Sequence, residues 1–167
     1  MAIWYYLPFL FFPVLSFFWL RAAGIPVGEA FRWNRFPPVF YLALLCSIGY
    51  SVYLLVSGYP DLKGGLYWVP VAVLSIMNSV GEEFAFRHAV FEIFQNAGYS
   101  ISVSNGIQGI LYAVPHFIIG GASFGILAFF YGLLLGTVRM RAGSITPCII
   151  SHFFIDIGCI GLPMLAL

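Results

Sequence analysis

Leu66–Phe94, LYWVPVAVLSIMNSVGEEFAFRHAVFEIF, decides the fold. A helix crosses the hydrocarbon core of a bilayer with about 20 predominantly apolar residues. This stretch is longer than needed and is interrupted by charges, densest in Gly81-Glu82-Glu83-Phe84-Ala85-Phe86-Arg87-His88. Five other segments are long and apolar enough to span, near Ile3–Leu20, Pro38–Val56, Ile101–Ile119, Ala122–Met140 and Ile145–Leu165. The 167 residues are 62% hydrophobic and only 8% charged, where soluble domains carry roughly 25% charged residues. So few charges cannot coat a globule with polar surface, so the surrounding solvent must be lipid. The pattern predicts an all-α, polytopic transmembrane bundle of about six helices, an integral multi-pass membrane protein.

The connections are short. The longest, Arg21–Pro37, holds Gly24, Pro26 and Gly28, then Phe31, Trp33 and Phe36 beside Arg32 and Arg35, a mixture suited to the membrane interface. Gly58-Tyr59-Pro60-Asp61 signals a turn, and Gly120-Gly121 and Ala142-Gly143-Ser144 close the later hairpins. With six spans, Arg21, Arg32, Arg35, Arg139 and Arg141 share one side and Lys63 faces the other. The positive-inside rule then predicts cytoplasmic arginine loops and both termini outside. The formal net charge of +1 and the dispersed basic residues leave no footprint for nucleic acid. Cys46, Cys148 and Cys159 sit in apolar runs without CxxC spacing and read as small buried hydrophobes. The first apolar stretch has no basic n-region or cleavage site and reads as a retained helix.

Ionisable groups inside a span are costly, which makes them functional candidates. Glu83 and Arg87 are spaced i, i+4 with the acid first, the better order for a helical ion pair. Glu82 points about 100° away around the helix and must face a cavity or another helix. His116 follows Pro115 in the fourth span, and His152 and Asp156 share one face of the sixth at i, i+4. At about 1.5 Å per residue Glu82 lies roughly 24 Å from the outer end of its span, in the cytoplasmic third of the core. His152 and Asp156 lie roughly 10 and 16 Å in from the other side, and His116 roughly 15 Å along its span counted from Gly106. Glu82, His116, His152 and Asp156 are therefore expected to meet in one layer. Taken singly, His116 reads as an interhelical hydrogen-bond partner, Glu83–Arg87 as a structural pair, and His88 and Glu92 as interfacial groups.

Taken together, Glu82-Glu83-Phe84-Ala85-Phe86-Arg87, Tyr112-Ala113-Val114-Pro115-His116 and His152-Phe153-Phe154-Ile155-Asp156 resemble the EExxxR, FxxxH and HxxxN or HxxxD pattern of a known family. These are the intramembrane glutamic endopeptidases related to eukaryotic prenyl-protein (CAAX) proteases and bacteriocin-processing Abi proteins. Tyr131-Gly132-Leu133-Leu134-Leu135-Gly136 and the Arg141–Ile145 turn are also similar to the family. Three motifs in order on successive apolar segments make a specific signal, covering roughly Leu66 to Asp156. The resemblance implies a protease core of four helices over residues 66–167, preceded by two helices in residues 1–65. It also implies a prokaryotic inner membrane location. Tyr112 stands where the family has Phe, His88 where it often has Gly, and Asp156 where Asn is commoner. Asn can donate to an oxyanion, whereas Asp does so only when protonated and otherwise orients His152.

Peptide hydrolysis needs an activated water and a stabilised tetrahedral oxyanion. The resemblance implies that Glu82 activates the water, His116 helps to hold it, and His152 with Asp156 stabilises the oxyanion. Glu83 and Arg87 would support the helix and tune Glu82. It implies no cofactor, and as substrate a membrane-anchored protein or peptide: a prenylated protein, a bacteriocin, a membrane-anchored regulator or a protein with a C-terminal sorting tail. Three alternatives stand beside this reading. Two His and two carboxylates can bind zinc, although HExxH is absent. Intramembrane Glu, His and Asp also build proton relays, although six helices without an inverted repeat are few for a transporter. An immunity protein on a decayed protease scaffold is the third, against which all motif positions are filled.

Overall fold

The computed structural model describes residues 3–33, 35–57 and 68–165, without the side chains of 3–10, 12 and 161–165. The Gly58–Asp61 turn, Lys63 and the first residues of the third span lie outside the described residues. Helix α1 is Ile3–Ala22, and a 3-10 turn at Gly28–Phe31 follows. Helix α2 is Pro38–Ser57 and α3 is Trp68–Glu82. A π-helical segment, Glu83–Val90, leads straight into α4, Phe91–Asn96. Helix α5 covers Ile101–Ala142 and α6 covers Thr146–Leu165. No strand occurs among the described residues.

Pro38–Ser57, Trp68–Asn96 and Ile101–Ala142 are each long and apolar enough to cross a membrane. The last is not one rod. Its 42 residues would reach about 63 Å if straight, twice the thickness of a hydrocarbon core. Gly121 breaks it with φ 76° and ψ −172°, a conformation open to glycine because it has no Cβ. The break agrees with the hairpin expected at Gly120-Gly121. The two legs return antiparallel. A Cβ added at Gly125 would lie 2.7 Å from Phe117 Cβ, and one at Gly132 would lie 3.3 Å from Gly109 Cα. Small residues let two backbones approach closely in lipid.

The same device packs α2 and α3 on α6. Helix α2 buries Phe40, Ala43, Ser47 and Ser51, and α3 buries Val71, Ser75, Ser79 and Glu82. A Cβ on Gly158 of α6 would sit 2.7 Å from the Ser51 Cα. Large apolar side chains cover the outer faces, among them Leu45, Val56, Ile118 and Phe130, as expected where lipid is the solvent. Cys46 belongs to this outer face, a correction to its reading as a buried hydrophobe. Cys148 is buried, with its thiol donating to Leu135 O.

Two of the arginine-bearing connections meet at one end of the bundle. Gly143, at φ 73°, closes the end of α5 by donating to Arg139 O, the left-handed cap that glycine favours. Two residues on, Ile145 N–H donates to Ala30 O in the first connection at 2.8 Å. Arg139 also pairs with Glu92 of α4 at 2.8 Å. The first connection, the end of α4 and the α5–α6 turn therefore lie together.

Candidate active site

The charged motif of the third span falls at the junction of α3 with the π segment. Phe91 N–H reaches back to Phe86 O, five residues earlier, the wider turn of a π-helix. Such turns often occur at functional sites because they re-aim side chains without ending the helix. Every residue from Gly81 to Ala89 is buried here. His88, expected at the interface, is therefore inside: it is 2% exposed and packs beside the Phe84 ring at 5.5 Å. Glu92 keeps the expected position near the helix end, tied to Arg139.

The two adjacent glutamates converge on one imidazole. His152, 2% exposed on α6, places Nδ1 at 2.6 Å from Glu83 Oε1. A carboxylate at this distance makes Nδ1 the donor, a tautomer assigned from its partner. Nε2 then faces three groups: Tyr112 Oη at 3.4 Å, Glu82 Oε2 at 3.5 Å and Asp156 Oδ1 at 3.5 Å. These separations exceed ordinary hydrogen-bond length, so the ring is surrounded rather than clamped on that side.

Glu83 does more than neutralise Arg87. Its Oε1 lies 3.0 Å from Arg87 Nη1 and is shared with the His152 ring. Arg87 is fully buried, with its guanidinium carbon 4.0 Å from the centre of the Tyr112 ring. A planar cation over an aromatic face is attracted by the ring quadrupole. Its nitrogens make no hydrogen bond of good geometry among the described residues.

His116 comes from the first leg of α5. Its Nδ1 donates to Tyr112 O at 2.8 Å, and its ring lies 4.4 Å from the Tyr112 ring centre. With Nδ1 engaged, Nε2 carries the free valence. A cavity of about 50 Å³ lies beside it, with His116, His152, Asp156, Tyr112 and Tyr131 in its wall. A water occupies about 30 Å³ of liquid volume, so one or two would fit. Glu82 is not in that wall and reaches the cavity through His152.

Of the residues expected to meet, Glu82 and Asp156 each lie 3.5 Å from His152 Nε2, with Glu83 and Arg87 behind the ring. His116 shares the cavity wall with His152 and Asp156 but not with Glu82. Sequence reasoning missed Asn78, whose Nδ2 donates to Asp156 Oδ2 at 3.1 Å. Its signal was legible: an amide in an apolar run, one turn before Glu82. The hydroxyl of Tyr112 was also passed over, since the residue was compared only with the Phe that the family has there. Among the described residues, no group of three or more His, Cys, Asp and Glu side chains is arranged to hold a metal ion.

The model of the type II CAAX prenyl endopeptidases, Rce1-like, matches residues 64–158, more than half of the chain. No curated protein and no solved structure matches it. The matched span contains all three motifs and every group around His152. The chain is an integral membrane protein that belongs to the Rce1-like type II CAAX prenyl endopeptidase family, whose members are proteases that need no cofactor.

Proposed function

We propose that this protein is an intramembrane endopeptidase that hydrolyses a peptide bond in a membrane-associated protein or peptide, with Glu82 as the base that activates water. His116 Nε2 helps to hold the water from the cavity side, and the water reaches Glu82 Oε2 past His152, because Glu82 lies outside the cavity wall. His152, carrying a proton on each ring nitrogen, donates Nε2–H to the developing oxyanion, and Asp156 supports it. Glu83 fixes the ring from behind through Nδ1, and Arg87 offsets the Glu83 charge. The observation that carries the reading is the placement of His152 between Glu82 and Glu83, against a water-sized cavity also walled by His116. Buried carboxylates held by nothing but structure would be expected to spend their acceptor capacity on donors. Glu82 Oε2 has no hydrogen-bond partner among the described residues, so a lone pair is available for a water proton.

The proposal includes a topology. The helix break at Gly121 divides α5 into two spans, giving six with α1, α2, the α3–α4 run and α6. Both termini then lie outside and the arginine loops in the cytoplasm, in a prokaryotic inner membrane. Residues 1–65 form the leading helix pair and residues 66–167 the protease core.

Glu82→Gln tests the mechanism. It keeps the shape and removes the base, so the rate on a peptide that the wild type cleaves should fall about 10²–10⁴-fold. The protein should still accumulate in membranes at the wild-type level. A quenched farnesylated peptide ending in a CAAX sequence, presented in proteoliposomes, is the first probe. Cleavage by Glu82→Gln at the wild-type rate would overturn the assignment of Glu82.

A further inference from the structure

Asn78 is a polar group in the middle of α3 with no part in the motifs. It precedes Glu82 by four residues, so the two share a helix face and turn toward α6. Its Nδ2 donates to Asp156 Oδ2 at 3.1 Å, while Asp156 Oδ1 lies 3.5 Å from His152 Nε2. The two oxygens of one carboxyl group thus have different neighbours. The terminal torsion of an Asp side chain is broad and roughly two-fold, so without a partner the oxygens would exchange freely. The amide donor breaks that symmetry. It occupies Oδ2 as an acceptor and leaves Oδ1 as the oxygen that meets His152 and the cavity. A proton on the carboxyl group would accordingly sit on Oδ1. The cost of this arrangement is visible: Asn78 Oδ1 is buried without a hydrogen-bond partner among the described residues. A half-satisfied amide in a membrane interior is unfavourable, and packing alone gives no reason to keep one.

We propose that Asn78 is a positioning residue for the reaction, holding Asp156 through Oδ2 so that Oδ1 is presented to His152. This rests on the protease reading above. The pair is also complementary in a way that permits exchange. Asn at 156 and Asp at 78 would place one amide and one carboxyl group across the same gap, whereas Asp at both would set two carboxyl groups face to face.

The test uses the full chain in proteoliposomes with the quenched farnesylated CAAX peptide. Asn78→Ala should lower kcat about 10- to 100-fold, the range for groups that support a reacting residue, and leave KM nearly unchanged. Asn78→Asp should lose more activity, and the exchange Asn78→Asp with Asp156→Asn should recover at least about tenfold over Asn78→Asp alone. A purely packing role would show no such recovery. Wild-type kcat in Asn78→Ala, or an exchange variant no better than Asn78→Asp, overturns the inference. A second measurement needs no substrate. The carbonyl stretch of Asp156, recorded at a pH acidic enough to protonate its carboxyl group and assigned by its loss in Asp156→Asn, should rise in Asn78→Ala because its oxygen loses a hydrogen bond. An unmoved band overturns the inference even if every variant is inactive. If Glu82→Gln cleaves like wild type while the band moves, the protease reading fails and the Asn78–Asp156 contact stands.

Discussion

Among the described residues, two polar clusters in the interior of this membrane protein are built differently. One joins the legs of the α5 hairpin. Asn105 donates to Leu133 O and Thr137 Oγ1, Gln108 donates to Asn105 Oδ1 and Gly132 O, and Thr137 donates to Leu133 O. Within this seam, among the described residues, only Gln108 Oε1 lacks a partner. The other cluster surrounds His152, and there Glu82 Oε2, Glu83 Oε2, Asn78 Oδ1, Ser151 Oγ and the Arg87 nitrogens all lack hydrogen bonds among the described residues. The seam has satisfied nearly all its polar atoms against backbone and against one another, which fixes the two helices. The His152 cluster retains hydrogen-bonding capacity beside a cavity. In an apolar solvent unsatisfied groups cost free energy, which is consistent with the proposed working role of the His152 cluster.

That contrast can be broken most strongly at Arg87. Removing one partner of a buried ion pair leaves an uncompensated charge and typically costs about 3–5 kcal/mol. Arg87→Met should therefore lower unfolding free energy by that order in detergent titration and abolish cleavage with it. A variant as stable as wild type would mean that Glu83 is held by His152 alone. Gly136→Ala probes the seam instead. Its Cβ would overlap Asn105 Oδ1 and come within 2.6 Å of Gln108 Nε2, and overpacking of this kind costs about 1–3 kcal/mol. Thermal unfolding should drop, while activity per folded molecule stays near wild type. A matching loss of kcat at unchanged stability would join the seam to the chemistry. The smallest effect is expected where the clusters adjoin. Tyr112→Phe keeps the ring under Arg87 and removes only the hydroxyl 3.4 Å from His152 Nε2. At the net value of one hydrogen bond kcat should fall about 2- to 10-fold with stability little changed. A larger loss would make the hydroxyl a direct donor to the reaction.

The membrane character and the candidate site residues were legible in the sequence, because both rest on local properties. Apolar run length and the scarcity of charge follow from what lipid tolerates. Glu82, Glu83, Arg87, His116, His152 and Asp156 stood out because ionisable groups are rare in such runs. Gly120-Gly121 marked the break in α5 for a similarly local reason, since only glycine takes that backbone conformation without strain. Three features depended on the folded state. A regular helix would turn Glu82 and Glu83 about 100° apart, yet both reach His152, one at each ring nitrogen; the helix type at that junction and the position of α6 decide this. The burial of His88 follows from the same π segment. The link from Asn78 to Asp156 joins residues 78 positions apart, and no spacing along the chain encodes which face of α6 meets α3. Composition and periodicity determined which residues the lipid would not accept. Only the packing of helices decided which of them share a partner, because that depends on distances between chain segments rather than along them.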